Sequence, residues 1–401
     1  MSSIPISRSE ETPAPRPEPA PRGLGATAVL ALGTFAVGTD GFVVAGFLPD
    51  MAASLHVTTA SAGQSVTVFA VAYAVLSPVL ATLTARVPRR ALLVGALLVL
   101  AAANLATAYA PDFALLLLTR VLAAAGAAAY SPGATAVASA LVSPDQRARA
   151  VSVVVGGMTV AIALGVPLGA VAERALDWRT ALVLVAALAA ACAVGVRAIM
   201  PALPGGPRVA LRDRLVVLRR PGVLAVLPQT VLGMTAAYTA YAYSVPVLRA
   251  AGAGAAVTWM LFLYGAGAVL GNIAAGAGTD RFGSVRVLAI GYALMTACLA
   301  VLAWAIAADV RSVALTGAVM VAWGASSWCQ GPPQNHRLIG AAPGQAPLVA
   351  GLNASAIYAG IALGTLAGGL AVPHGVALAA ELGAGLAAAA CLYLAATARH
   401  H

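Results

Sequence analysis

Asp40 is a carboxylic acid inside a long apolar run, TFAVGTDGFVVAGFLP, with no charged residue within eight positions on either side. An uncompensated acid in such a run either hydrogen-bonds a neighbouring helix or marks an ion or substrate pathway, where it can take up and release a proton or cation. At helical spacing it shares a stripe with Gly33, Val37, Val44 and Phe47, so it can face the interior of a helix bundle while the other sides meet lipid. Arg120, in TRVLAAAGAAAYSPG, is the second such group and is aligned with Ala124, Ala127 and Ser131. A guanidinium stays charged, so it can bind a carboxylate but cannot itself release a proton; the alternative is a side chain that snorkels to the headgroups. A third set is aromatic and amide: Tyr238, Tyr241 and Tyr243 before Pro246, then Trp323, Trp328 and Gln330 near Pro332 and Pro333. Aromatic faces with a few amides suit a pocket for amphipathic compounds, although the same residues also serve as packing and interface-belt groups. Val37, Val44, Ser131, Tyr238, Tyr241, Trp323, Gln330 and Asn353 are the candidates for lining such a cavity.

Other chemistries are excluded by what the chain lacks. Cys192, Cys298, Cys329 and Cys391 stand singly in apolar runs, and His56, His336, His374, His400 and His401 have no ligand spacing, so neither a metal site nor a disulfide framework is expected. No Walker loop and no nucleophile elbow occur, which removes direct ATP coupling and leaves no basis for an enzyme or a cofactor.

The elements that must position Asp40 and Arg120 follow from composition. Of 401 residues, 61% are hydrophobic and 9% charged, whereas a soluble domain carries about a quarter charged residues; the chain is an integral membrane protein with the bilayer as its surroundings. Apolar runs long enough to span ~30 Å of hydrocarbon fall near 26–48, 62–84, 91–109, 113–140, 151–172, 180–200, 222–247, 255–277, 287–307, 312–333, 347–371 and 376–397. Residues 1–25 read as a disordered tail, 26–200 and 222–401 as two six-helix halves, and 201–221 as the linker between them. Ser143, Pro144 and Gln146 have capping-box spacing before the fifth span.

No Lys occurs, so the net charge of +10 is an arginine pattern. Alternate loops hold Arg86, Arg89 and Arg90, then Arg147 and Arg149, then Arg208, Arg212, Arg214, Arg219 and Arg220, then Arg281 and Arg286, then Arg337. The opposite loops hold Arg174, Arg179, Arg249 and Arg311. The positive-inside rule therefore places both termini in the cytoplasm, and the charge calls for no nucleic acid.

The halves also resemble each other. ATLTARVPRRALL (81–93) and GAGTDRFGSVRVL (276–288) place an Arg-rich turn at the same point of a hairpin, as in a transporter built from a parallel repeat. The turn TDRFGSVR resembles the loop signature of the major facilitator superfamily; Asp280, Arg281, Gly283 and Arg286 match it, and Arg86, Arg89 and Arg90 match its first-half copy, with Ala85 at the acid position and Pro88 at the glycine position. The run Gly165, Pro167 and Gly169, followed by Asp177, Trp178 and Arg179, resembles that superfamily's antiporter signature, and NASAIYAGIALGTLAGG (353–369) is its second-half counterpart. Together with Asp40 in TDGFVVAGFLP and the WGASSWCQGPPQ segment, these motifs resemble the twelve-helix drug:proton antiporters of the arabinose-efflux and chloramphenicol-efflux type.

That resemblance implies a fold that is all-α: two pseudo-symmetric six-helix bundles around a central cavity, with alternating access. It implies a multi-pass plasma-membrane exporter of small amphipathic compounds, working as a monomer by proton exchange. Asp40 and Arg120 would couple protons, and Arg86, Arg89, Arg90, Asp280, Arg281, Gly283 and Arg286 would form a cytoplasmic gate. A carboxyl group in a low-dielectric cavity favours its neutral form, so Asp40 is expected to face that cavity and to load and lose a proton there. Sugar or metabolite transport, in either direction, is the alternative within the superfamily, and a membrane sensor that does not transport is the alternative outside it.

Overall fold

The structure is a computed structural model that describes residues 23–143, 146–175, 177–206, 212 and 216–398. Among these, twelve helices reach 16 residues or more: α1 (Gly23–Gly46), α2 (Thr59–Leu83), α3 (Arg89–Ala108), α4 (Phe113–Ala140), α5 (Arg147–Ala175), α6 (Trp178–Ile199), α7 (Pro221–Tyr241), α8 (Val257–Phe282), α9 (Ser284–Ala307), α10 (Val313–Trp328), α11 (Ala346–Ala371) and α12 (Val376–Thr397). Each corresponds to one of the expected spans, and α1 starts at Gly23, slightly ahead of expectation. Ten helices are long and apolar enough to cross a bilayer. The other two are α5, which contributes the apolar stretch Arg149–Ala161, and α10, which is short because the chain breaks at Cys329 and Gln330.

Two expected spans are therefore broken helices. The run 312–333 divides into α10 and a second helix, Gly331–Ala341, with Pro at its first turn. The run 222–247 divides into α7 and Ser244–Ala250. Proline fits the first turn of a helix, where its missing N–H is not needed, but interrupts a helix interior. The freed backbone groups at such breaks need partners, which is why they occur where helices line a cavity or pack against protein.

The packing repeats with a period of six helices. In the first half α1 packs on α5, α2 on α4, and α3 on α4 and α6; in the second α7 packs on α11, α8 on α10, and α9 on α10 and α12. The halves meet through α2 against α11 and α5 against α8, two contacts related by the same shift. Small residues permit these approaches where no hydrophobic force drives helices together in lipid. On α11, a Cβ at Gly360, Gly364 or Gly368 would run into the α7 carbonyls of Val231, Thr235 and Thr239 in turn. On α5, a Cβ at Gly157 would meet the Ala31 carbonyl of α1.

At the end of the bundle away from both described chain ends the halves also touch, with Ser244–Ala250 reaching α1 and the Tyr243 hydroxyl beside Gly63 of α2. There Thr58, Asp112, Asp177 and Ser312 cap α2, α4, α6 and α10 by accepting from backbone N–H groups. The Asp177 carboxyl lies below its ordinary range because Thr180 hydrogen-bonds its charged form. Arg179 donates to the carbonyls of Ala108 and Ala110, and Trp178 Nε1 donates to Ser54 Oγ at 2.8 Å. Tyr243 lies between the halves, donating to the Thr365 carbonyl at 3.0 Å. At the other end Gln146 N donates to the Ser143 carbonyl, not to its hydroxyl, and Pro144 lies outside the described residues.

Candidate functional site

Asp40 and Arg120 come together in the middle of the first half. Arg120 Nη1 donates to Asp40 Oδ1 at 2.6 Å and Nη2 to the Asp40 carbonyl at 3.4 Å, with side-chain exposures of 1% and 0%. Those exposures rule out snorkelling for Arg120, which ends on the acid and not in the headgroups. A charge in hydrocarbon demands a counter-charge, and eighty residues of separation in sequence are closed by the contact of α1 with α4. Arg120 also lies over the Phe69 ring of α2, 4.5 Å from its centroid, a cation–π contact favoured by desolvation. Asp40 Oδ2 and Arg120 Nε are buried with no hydrogen-bond partner among the described residues.

A cavity of about 350 Å³ opens between the halves, on the side of the capless end. Ser131 of α4, Gln330 beyond α10 and Asn353 of α11 line it. So do Thr34, Thr135, Asn272, Gln334 and Asn335 as polar groups and Met158, Met234, Trp328 and Ile357 as apolar ones. Among the described residues its lining includes no carboxylate and no basic residue, and most of its surface is apolar. The amides are held in a network: Thr230 Oγ1 donates to Asn353 Oδ1 at 2.9 Å, Asn353 Nδ2 to Asn335 Oδ1 at 3.2 Å, and Tyr292 Oη to Gln330 Oε1 at 3.2 Å.

Asp40 does not face this cavity. Between them stand Phe69 and a stacked pair, Tyr73 of α2 and Tyr358 of α11, with ring centroids 3.7 Å apart and planes at 23°; Phe69 lies 6.2 Å from Tyr358. The two tyrosines line the cavity, so one aromatic layer that crosses from half to half separates the charge pair from the cavity.

Several expected lining residues are elsewhere. Val37 and Val44 are buried in the core of the first half. Tyr238, Tyr241 and Trp323 join Tyr264 in an aromatic cluster of α7, α8 and α10, with Tyr241 stacked on Tyr264 at 4.5 Å. The Tyr238 and Tyr241 hydroxyls and the Trp323 indole N–H there have no hydrogen-bond partner among the described residues. Sequence reasoning missed Tyr73 and, on the α11 face, every lining residue but Asn353, Tyr358 among them. A signal existed: Asn353, Ile357, Tyr358 and Ile361 recur at helical spacing on one side of α11.

At the turn expected to form a gate, Gly283 has φ +84°, a conformation glycine adopts freely, and it ends α8 and starts α9. Asp280, Arg281 and Arg286 are exposed, and Asp280 forms no ion pair with another described residue. The first-half turn is fastened differently. Arg89 N donates to the Leu203 carbonyl, Gly206 N to that of Ala85 and Arg90 Nη1 to that of Met200, so the segment after α6 runs along the turn, where Arg86 also sits beside Gly205. Gly165, Pro167 and Gly169 are within α5, and their surroundings lie outside the described residues.

A twelve-helix bundle with a six-helix repeat and a cavity between its halves has an answer among known families. The family model of the Major Facilitator Superfamily matches residues 30–365. The chain belongs to that superfamily. It is 32% identical over 349 residues to the inner membrane transport protein YdhP of Escherichia coli K12, covering 86% of this chain and 88% of that protein. To a chloramphenicol resistance protein of Streptomyces lividans it is 35% identical over 356 residues, again covering 86% and 88%. A solved bacterial homolog of the human lysosomal transporter Spinster, inward-facing and occupied, superposes with a TM-score of 0.70 over 94% of each chain at 16% identity. The chain is thus a multi-pass membrane transporter of the Major Facilitator Superfamily and not an enzyme.

Proposed function

We propose that this transporter exports uncharged or weakly charged amphipathic compounds, of the kind exemplified by amide-bearing antibiotics, in exchange for protons. The observation that carries the reading is the buried Asp40–Arg120 pair, one aromatic layer from a cavity whose lining, among the described residues, carries no charge. A lining without a counter-ion offers no compensation for desolvating an ion. Its amides and hydroxyls supply directional hydrogen bonds, while Trp328, Met158, Met234 and the tyrosines supply apolar contact. Kinship with a chloramphenicol resistance protein favours the drug class, and arginine-rich loops at the cavity's open end favour its facing the cytoplasm with both termini.

The mechanism follows from the layer order. Unprotonated, Asp40 holds the Arg120 guanidinium, and Arg120 in turn holds Phe69 against Tyr358. Protonation of Asp40 removes the charge from that bond and frees Arg120, loosening α2 against α11 where Tyr73 meets Tyr358. A compound entering the cavity presses on the same two rings. Proton and substrate thus bias one seam between the halves, and exchange results when each favours the opposite arrangement. The amide network, with Trp328 beside it, would also suit a sugar, which keeps metabolite transport as the second reading.

The test is accumulation of a panel of neutral and charged antibiotics, dyes and sugars in cells expressing the protein, with and without a protonophore and beside Asp40→Asn. The expected result is lowered accumulation of a neutral compound, restored both by protonophore and by the substitution. Undiminished export by Asp40→Asn would overturn the proton assignment, and a response confined to sugars would overturn the drug assignment.

A further inference from the structure

A second concavity, of about 610 Å³, lies at the end of the second half where the chain turns from α8 into α9. It is far from Asp40 and shares none of its lining with the transport cavity. Among the described residues its basic members are Arg286, His336 and Arg337, and its lining contains no acid. The acid nearest in sequence, Asp280, precedes the turn and is outside that lining.

Three features converge on the chemistry of a ligand. First, α9 has 24 residues and begins there without a side-chain cap and without an acid in its first turn, so the unpaired N–H groups and the positive end of its dipole are uncompensated. Second, Arg337 lines the concavity as a half-buried residue whose Nη1 and Nη2 have no hydrogen-bond partner among the described residues, so a guanidinium suited to a bidentate acceptor has none there. Third, the Ser284 hydroxyl at the helix start is 3.0 Å from His336 Nδ1, which fixes the imidazole beside the helix N-terminus. Backbone N–H groups, a guanidinium and an imidazole in one concavity suit a phosphate.

The rim decides where the phosphate comes from. Phe282 and Val285 line the same concavity and are 53% and 38% exposed. In a chain that spans a bilayer, an exposed apolar rim at the end of two spanning helices stands at the level of headgroups and first methylenes. Basic pockets between transmembrane helices at that level take anionic headgroups. We infer that the α8–α9 turn of this transporter binds the phosphodiester of an anionic phospholipid, with Arg286, Arg337 and the α9 N-terminus holding the phosphate and Phe282 and Val285 meeting the acyl chains. Since Arg286 and Gly283 also belong to the gate motif, headgroup occupancy acts on the turn that must move when this end closes.

The experiment uses the purified full-length chain in detergent. It is titrated separately with short-chain phosphatidylglycerol, short-chain phosphatidylcholine and inorganic phosphate, and saturable binding is read by native mass spectrometry and by thermal shift. Phosphatidylglycerol is expected to bind and stabilise, and phosphatidylcholine and inorganic phosphate to do neither. Arg286→Gln and Arg337→Gln are each expected to weaken phosphatidylglycerol about tenfold, the loss of one charge-assisted contact. Arg249→Gln removes an equal charge from the opposite end and should leave binding unchanged. If Arg337→Gln does not fold, exposed Arg286 carries the test alone. Equal binding of the two lipids, or an Arg286→Gln protein that binds as tightly as the parent, overturns the site; phosphate binding as tight as phosphatidylglycerol overturns the lipid as its source.

Discussion

At the scale of single residues, the Asp40–Arg120 pair is a liability unless both members are present. Removing one partner of a buried ion pair leaves a bare charge and costs about 3–5 kcal/mol, whereas replacing both by neutral groups is far less damaging. Arg120→Gln is therefore expected to lower the melting temperature of the purified protein sharply. The double variant Asp40→Asn, Arg120→Gln should recover most of that loss while remaining inactive in exchange. A double-mutant cycle on thermal unfolding is the check, and losses that simply add would show that the two side chains do not share an interaction. This pair also marks what a sequence can disclose. Asp40 is legible because an acid in an apolar run has no ordinary explanation, and Arg120 is legible for the same reason. That each is the other's partner is not legible, because it depends on α1 crossing α4 at one depth.

At the scale of elements, hydropathy locates all twelve long helices, ten of which carry the length and composition that lipid imposes on a span. It does not locate the break at Ala242, since apolar residues continue on both sides of it, and after Gln330 the chain turns polar (GPPQNHR), which ends the apolar run without disclosing the second helix that follows. The sequence also exposes the glycine spacing of α11, and the structure supplies its partner, the α7 backbone. A substitution there meets carbonyl oxygens that cannot move aside, so Gly364→Val is expected to cost about 1–3 kcal/mol as an overpacked contact. Gly385 on α12 faces open space and Gly385→Val should cost much less, apart from a small propensity term. Comparing the melting temperatures of the two variants tests the ladder, and equal losses would mean that α11 does not depend on close approach to α7.

At the scale of the whole molecule, the two halves meet in this conformation along α2 with α11 and α5 with α8, touching also at the capped end and open at the other. Of the residues expected to line a cavity, Ser131, Gln330 and Asn353 do line the one between the halves, toward its open end, while Tyr238, Tyr241 and Trp323 lie packed among α7, α8 and α10. Aromatic composition cannot distinguish these positions, because which side is open is a property of the state and not of the residue. The gate motif invites a direct test of that state. Asp280 is exposed and without an ion-pair partner among the described residues, so its charge contributes little to the open arrangement; a lock that it forms belongs to the closed one. Asp280→Asn should then leave melting of the open form almost unchanged and shift the population toward it. Nitroxide labels at Leu83 on the first half and Ile339 on the second, both exposed at the open end, would report the shift as a gain in the longer of two spin–spin distances. An unaltered distance distribution would mean that Asp280 does not hold the gate, and that closure relies on the first-half turn, where the segment 200–206 fastens Ala85 and Arg89 through the backbone.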